Sequence, residues 1–262
     1  MGGRKMGKIY EEDSKASALT RLLKRINAGA DPNDLRKKAG ELIANVTSRD
    51  IATAEQNLIN AGYSAKLVGQ LSSAFVVMGI LQGQKIDLRS KLRENHILRK
   101  VLAEHEMLRC FLADLRDVVS AIVGEDNVRT TSSEFRKLAH IAQHLDAMEQ
   151  HIEAEEDIIF PYLQKHGWTS LCQAAHSDHI HIKIAIDDLM RLTRAFNPDF
   201  LDEFKVRLTS ITKYLCPTME EHILQEDNIL YPIALEVIKD DKVWTRIKAV
   251  CDEIGYCGLH IG

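Results

Sequence analysis

A motif of eleven residues occurs twice in this chain and limits its fold more than any other feature of the sequence. The first copy, HIEAEEDIIFP, begins at His151, and the second copy, HILQEDNILYP, begins at His222. Five of the eleven positions are identical, and four more hold closely related residues. Each copy has a glutamate four residues after its histidine, at Glu155 and Glu226. Since residues four apart lie on the same face of an α-helix, each copy is predicted to place an imidazole beside a carboxylate.

The segments that precede the two copies also match. His105 begins HEMLRCFLADL and His179 begins HIHIKIAIDDL, and both have apolar residues three, seven and ten positions after the histidine. The intervals agree as well, with 46 residues from His105 to His151 and 43 from His179 to His222. The sequence therefore predicts two copies of a helical hairpin. In each hairpin the first helix offers one histidine, and the second offers a histidine and a glutamate.

Two such hairpins in one bundle would bring four imidazoles and two carboxylates together on the bundle axis. Bundles with di-iron sites use inward-facing Glu and His side chains in this way. Imidazole and carboxylate ligands suit iron or manganese better than an all-thiolate site would. A single histidine on an amphipathic helix is most often an ordinary residue, but chance does not readily repeat both residue types and intervals. The candidate metal ligands are His105, His151, Glu155, His179, His222 and Glu226.

The chain is predicted to be helical throughout, which gives an all-α fold class. Long amphipathic segments separated by the short breaks GEDN, KHG and NPD predict an up-down four-helix bundle. These segments lie at about 90–123, 132–165, 170–195 and 199–238. Shorter helices precede them, and one is expected to begin at Asp31 and Pro32 and to carry Leu35. The predicted divisions are a flexible tail at 1–14, a small N-terminal helical domain at 15–83, a linker or helix start at 84–94, the bundle at 95–240 and a C-terminal tail at 241–262.

Composition and charge argue against several classes of partner. The net charge is -4 and the pI is about 6.3, whereas a nucleic-acid-binding protein usually carries a basic stripe. No apolar run approaches the ~18 residues that a membrane span needs, and the N-terminus lacks the apolar segment of a signal peptide. We therefore expect a cytoplasmic protein with no nucleic-acid or membrane partner. The five cysteines include no CxxC pair and are expected to be free thiols.

The pattern H…HxxxE…H…HxxxE, with E[ED][DN]I[IL][FY]P starting at each glutamate, resembles the hemerythrin-like HHE cation-binding domain over about 95–240. The resemblance implies a pair of non-haem iron ions joined by an oxo or hydroxo bridge, with manganese or zinc as substitutes. It implies that Glu155 and Glu226 bridge the ions and that the four histidines are terminal ligands. It also implies a small diatomic gas or peroxide as the partner, with a protein redox partner and a homodimer as further options.

One position departs from the oxygen-carrying hemerythrins, which have a second histidine four residues after the third-helix ligand. Lys183 stands there in this chain. The chain is therefore more similar to six-ligand members such as the repair-of-iron-centres proteins. We expect its site to have an additional open or water-filled position. His176, three residues before His179, is an alternative seventh ligand.

The N-terminal segment resembles a second family. Residues 18–62 are similar to a domain of unknown function that precedes many prokaryotic hemerythrin-like modules. In that family a Leu-Cys-x-x-His segment follows, whereas this chain has Leu71, Ser72, Ser73, Ala74 and Phe75. Any redox or metal-binding role of that cysteine and histidine is therefore expected to be absent.

His96, in the sequence RENHILR, competes with His105 for the role of first-helix ligand. The residue ten positions after His96 is Glu106, whereas His105 and His179 both have leucine there, so the repeat favours His105. Two weaker candidates remain. His140 and His144 could line an access path or hydrogen-bond to the metal ligands, and Cys251, Cys257 and His260 could form a C-terminal metal site.

Three functions follow as hypotheses. The first is binding or processing of O₂, NO or peroxide at an open iron position. The second is a di-iron redox or gas sensor that signals through the N-terminal helical domain. The third is storage of iron, or its delivery for the repair of iron centres. Whether the chain is an enzyme stays open at this stage.

Overall fold

The computed structural model describes residues 3–30, 39–81 and 88–254. These ranges form helices joined by turns and contain no β-strand, as the all-α prediction requires. Within them no helix is both long enough and apolar enough to cross a membrane. The predicted helix start at Asp31 and Pro32, with Leu35, lies outside the described residues, as do Cys257 and His260.

Contacts along the chain divide it into two compact units, which are described in turn. The first unit comprises Met1–Lys91, Tyr162–Ala175 and Leu224–Lys239, and the second comprises Leu92–Pro161, His176–Ile223 and Asp240–Gly262. Two short segments of the predicted bundle, 162–175 and 224–239, thus group with the N-terminal helices rather than with the rest of the bundle.

The N-terminal part of the first unit consists of short helices. They are α1 (Gly3–Asn27), α2 (Gly40–Asn45), α3 (Ser48–Asn60) and α4 (Ala65–Leu81). The helix α1 begins at Gly3, inside the segment predicted as a tail at 1–14.

The ends of α3 follow from its sequence. The Thr47 hydroxyl accepts a hydrogen bond from the Asp50 backbone N–H at 3.2 Å, and the Asp50 carboxylate accepts one from the Thr47 N–H at 2.9 Å. This reciprocal capping box fixes the start of the helix. Gly62, with φ of 91°, takes the left-handed conformation that ends it. The helix packs against α1 and α4 and buries Leu58 completely.

The second unit contains most of the four-helix bundle. The first bundle helix is α5 (Ile97–Gly124) and the third is α9 (Thr169–Arg194). The second consists of α6 (Ser133–Asp146), α7 (Met148–Ala154), a first π-turn (Glu155–Ile159) and α8 (Phe160–Lys165). The fourth consists of α10 (Leu201–Gln225), a second π-turn (Glu226–Leu230) and α11 (Tyr231–Val237). The four segments and the breaks between them agree with the prediction, except that α5 begins at Ile97 rather than near residue 90.

The core of the second unit is one continuous apolar cluster with members from α5, α6, α7, α9 and α10. Leu112, Leu138, Ile152, Leu189 and Leu215 are examples, and each is fully buried. A further helix, α12 (Asp241–Ile254), lies within the segment predicted as a C-terminal tail and packs on α5 and α7. Its buried residues Trp244, Ile247 and Cys251 recur at helical spacing, a pattern that predicts one amphipathic helix.

The two π-turns were not predicted. In the first, the Phe160 N–H donates to the Glu155 carbonyl five residues back, and in the second the Tyr231 N–H donates to the Glu226 carbonyl. A proline follows each of these donors in the sequence and has no N–H to give to an ordinary α-helical bond. Single π-turns inside α-helices are frequent at functional sites. Each π-turn here begins at a predicted glutamate ligand.

Candidate metal centre

The side chains of His105, His151, Glu155 and His179 meet in the interior of the second unit. The Nε2 atoms of His105 and His151 are 3.3 Å apart. One carboxylate oxygen of Glu155, Oε2, lies 3.7 Å from His151 Nε2 and 3.3 Å from His179 Nε2. A single oxygen therefore reaches imidazoles that come from two different hairpins. Glu155 is therefore close enough to both histidines to share cations with either of them.

The six predicted ligands form two overlapping groups. Within each group, the ligand atoms all lie within 4.8 Å of one another. One group consists of Glu155, His179, His222 and Glu226, and the other consists of His105, His151 and Glu226. Glu226 belongs to both groups, and each of the six residues is buried, with at most 4% of its surface exposed. Lys183 is half-buried and is not a member of either group.

A buried carboxylate orients His151. Its Nδ1 lies 3.1 Å from Glu104 Oε2, and both side chains are at least 98% buried. An ionised carboxylate can only accept, so Nδ1 carries the proton and donates it, which leaves the Nε2 lone pair directed at the cluster. A carboxylate behind a histidine in this way is typical of metal sites and fixes both the tautomer and the ring orientation.

His179 is held by the residue that follows Glu155. Its Nδ1 donates to Glu156 Oε1 at 2.6 Å, and the same oxygen accepts from Nδ1 of His176 at 2.9 Å. Burial raises the pKa of Glu156, but hydrogen bonds from His179 and His176 outweigh it, so the net pKa is below the ordinary value. His176 is 53% exposed and contacts Glu156 rather than the cluster. The geometry therefore does not favour His176 as a seventh ligand.

The acidic partners follow the internal repeat. Glu104 directly precedes His105 and faces His151, while Asp178 directly precedes His179 and lies 3.8 Å from Nδ1 of His222. The second distance is too long for a hydrogen bond. These two carboxylates were not predicted from the sequence, because the repeat was compared only from its histidines onward. The signal was present, since an acidic residue stands just before the first-helix histidine in both hairpins.

His96 has a different role. Its Nδ1 accepts a hydrogen bond from the Leu98 N–H at 3.2 Å, which makes it the N-cap of α5. Its ring lies 4.6 Å from that of Trp244, and burial lowers its pKa. Neither ligand group includes His96. The geometry therefore agrees with the repeat, which selected His105.

The other candidates are not members of either ligand group. His140 is exposed and packs on His144, whose ring stacks on that of Phe111 at 4.6 Å. These contacts give both histidines a packing role at the bundle surface. Cys251 is buried on α12, and burial raises the pKa of its thiol to about 11, so that it stays neutral near pH 7. The described cysteines are free thiols, as expected.

The donor set fits a pair of divalent metal ions of the iron type. It contains imidazole nitrogens and carboxylate oxygens and no sulfur, a combination that suits iron, manganese or zinc. The acids behind His151 and His179 match the supporting hydrogen bonds that such sites require. The cluster can therefore hold cations among side chains that are buried from bulk solvent.

Comparison with known families agrees with this geometry. The model of the hemerythrin HHE cation binding domain matches residues 96–234, which is more than half of the chain. The model of a family of unknown function, DUF438, matches residues 19–76. Both matches, in this order, agree with the two resemblances drawn from the sequence. No curated protein matches the chain.

Proposed function

Because this chain belongs to the hemerythrin HHE cation binding domain family, we propose that it is a di-iron protein that binds or processes O₂, NO or peroxide. His105 and His151 would hold one ion, and His179 and His222 would hold the other. Glu155 and Glu226 would bridge them. The main support for the proposal is that both glutamates are close to histidines of both hairpins. Glu226 belongs to both ligand groups, and Glu155 Oε2 lies near His151 and His179.

The small number of protein ligands supports a reactive site. Two histidines and two shared carboxylates per ion leave room for small ligands around iron, and sites of this kind commonly keep open positions for O₂. Lys183 occupies the sequence position at which an oxygen carrier has another histidine. When bound, iron supplies the redox chemistry, and the protein supplies binding, orientation and electrostatics. We propose that this chain transforms or senses its small ligand rather than only transporting it.

The protein's own groups would do two things for such a centre. Glu104 and Glu156 hold the Nδ1 protons of His151 and His179, which keeps the Nε2 atoms available as ligands. The burial of the six side chains keeps bulk water from their donor atoms. In a dry site, charges that develop on a bound ligand interact more strongly with these fixed groups than they would in water.

Metal analysis of the purified full chain, with optical spectra recorded under O₂ and under NO, tests the proposal. We expect a dinuclear iron site and spectra that change on addition of at least one of the two gases. A chain that retains about one metal ion or none under iron-replete conditions would exclude the dinuclear site. Turnover of peroxide or NO would assign processing, whereas reversible spectral change without turnover would assign binding. Transfer of iron to an apo-acceptor, without a response to either gas, would favour iron delivery instead.

A further inference from the structure

The two π-turns differ sharply in how far they are covered. In the second π-turn, Asn228 is 7% exposed and Ile229 is fully buried. The corresponding residues of the first π-turn are Asp157, which is exposed, and Ile158, which is half-buried. The two turns have the same backbone geometry and closely related sequences, so the difference arises from what packs on them.

The helix α3 packs on the second π-turn. Together with α4 it forms the α3–α4 hairpin, residues 48–81, which belongs to the same compact unit as the turn. The Ser48 hydroxyl at the start of α3 donates to the backbone carbonyl of Asn228 at 2.7 Å. The Gln225 side-chain amide donates to the Ser73 hydroxyl of α4 at 3.1 Å. Gln225 and Asn228 stand on either side of Glu226 in the sequence. The hairpin is therefore hydrogen-bonded to both sides of a proposed bridging ligand.

Gly69 of α4 gives Gln225 the space that it occupies. A Cβ atom at this position would lie 2.7 Å from Nε2 of Gln225, closer than real contacts allow. Glycine inside a helix costs about 1 kcal/mol relative to alanine, so α4 would form more readily without it. The close approach of Gln225 provides a physical reason for a glycine in the middle of α4.

The two copies of the repeat differ at the positions that make these contacts. Gln225 corresponds to Ala154, which has no amide, and Asn228 corresponds to Asp157. The Asn228 amide also donates to the Leu224 carbonyl at 2.7 Å, which an ionised aspartate cannot do. The identical positions of the repeat include the proposed ligands, whereas the contact with α4 comes from the side chain of Gln225, where the two copies are unrelated.

We infer that the α3–α4 hairpin is a recognition surface for the second π-turn and that it is coupled to the metal state of Glu226. This inference rests on the proposed metal centre. Metal binding restricts the Glu226 side chain and therefore the backbone of the turn, to which Ser48 and Gln225 are attached. Since coupling between two sites is reciprocal, weakening the attachment also weakens metal binding by the same factor. The N-terminal module would thus respond to the occupancy of the centre.

Amide hydrogen exchange of the full chain, measured with and without Fe(II) under anaerobic conditions, tests this coupling. We expect Fe(II) to slow exchange in 48–81 by about tenfold, within the usual range for coupled sites. The Gln225→Ala substitution, which gives the second copy the residue of the first, should reduce the effect to less than about twofold. Gly69→Ala should do the same by displacing the Gln225 amide. Asp157→Ala, at the exposed position of the first copy, is the control and should retain the full effect.

The outcomes separate this inference from the proposed function. If the unsubstituted chain takes up no iron, the metal centre fails and the coupling fails with it. If the chain takes up iron but exchange in 48–81 is unchanged, only the coupling is overturned. The coupling is also overturned if the Gly69→Ala and Gln225→Ala variants both retain the tenfold slowing of exchange. Gly69→Ala also guards against misfolding as an explanation, since alanine favours the helix that it enters.

Discussion

The first and second π-turns have the same local structure in different surroundings. Each begins at a buried glutamate, closes with a hydrogen bond across five residues and is followed by a proline at the same offset. The first is open at Asp157, whereas the second is covered at Asn228. The comparison separates two kinds of constraint on one motif. The shared positions include the proposed ligands, and Gln225, which differs from Ala154, makes a side-chain contact with the α3–α4 hairpin.

The largest expected effect tests whether the glutamates at the start of the two turns contribute equally to metal binding. We expect Glu155→Ala and Glu226→Ala each to abolish binding of both metal ions, because each carboxylate would be shared between the ions. Metal content measured on the purified variants gives the result, with Asp157→Ala as the control that retains metal. Loss of one ion with retention of the other would show that the substituted glutamate is not a bridge.

The second prediction concerns α3, the helix that covers the second turn. Burial raises the pKa of Glu55 from 4.5 to about 7, although the nearby Ser72 side chain acts in the opposite direction. Between these values the folded chain binds a proton that the unfolded chain releases, so stability falls as the pH rises from about 4.5 to about 7. Above that range the loss is complete.

The Glu55→Gln substitution removes this titration and keeps a polar side chain of nearly the same shape. In the metal-free protein it should raise the free energy of unfolding by about 3 kcal/mol at pH 8 and by less than about 1 kcal/mol at pH 5. Urea denaturation at the two pH values measures the difference. Glu41→Gln, at an exposed position on α2, is the matched control and should change little at either pH. An equal gain at both pH values would exclude titration of Glu55 as the cause.

The third prediction compares the acids behind the two second-helix histidines. Glu104 bonds to His151 at 3.1 Å and is buried, whereas Asp178 lies 3.8 Å from His222 and is 28% exposed. We expect Glu104→Ala to weaken metal binding by about 10- to 100-fold, the usual cost of losing such a partner, and Asp178→Ala to weaken it by less than about tenfold. Competition with a chelator of known affinity gives both values. Equal losses would mean that the two halves are supported alike despite the distances.

The smallest expected effect tests the residue that distinguishes the turns themselves. Asn228→Ala removes the side-chain hydrogen bond to the Leu224 carbonyl and should lower the free energy of unfolding by about 1 kcal/mol. The corresponding change Asp157→Ala lies at an exposed site and should stay within about 0.5 kcal/mol. Denaturant titration of the metal-free variants compares them. If the two substitutions lower the free energy of unfolding equally, the Asn228 hydrogen bond does not stabilise the second turn.

Much of the bundle follows from the sequence because its helices are long, amphipathic and separated by recognisable breaks. Gly124 and the segment around Gly167 end helices where the prediction placed the breaks. The helix α12 was missed, although Trp244, Ile247 and Cys251 recur at helical spacing near the end of the chain. The π-turns were missed because their hydrogen bonds span five residues, and no side-chain periodicity reports the extra residue. The prolines at 161 and 232 were the available signal.

The sequence by itself determined which residues could act together. The repeat of His and His-x-x-x-Glu is a property of two helical hairpins, and helix geometry alone places each His and Glu pair on one face. Only the tertiary structure decided which carboxylates support which histidines, since Glu104 and His151 lie on different helices 47 positions apart. It also decided that the two copies are not equivalent. Contacts between distant segments, such as Ser48 with Asn228, depend on packing rather than on local periodicity, and no pattern along the chain encodes them.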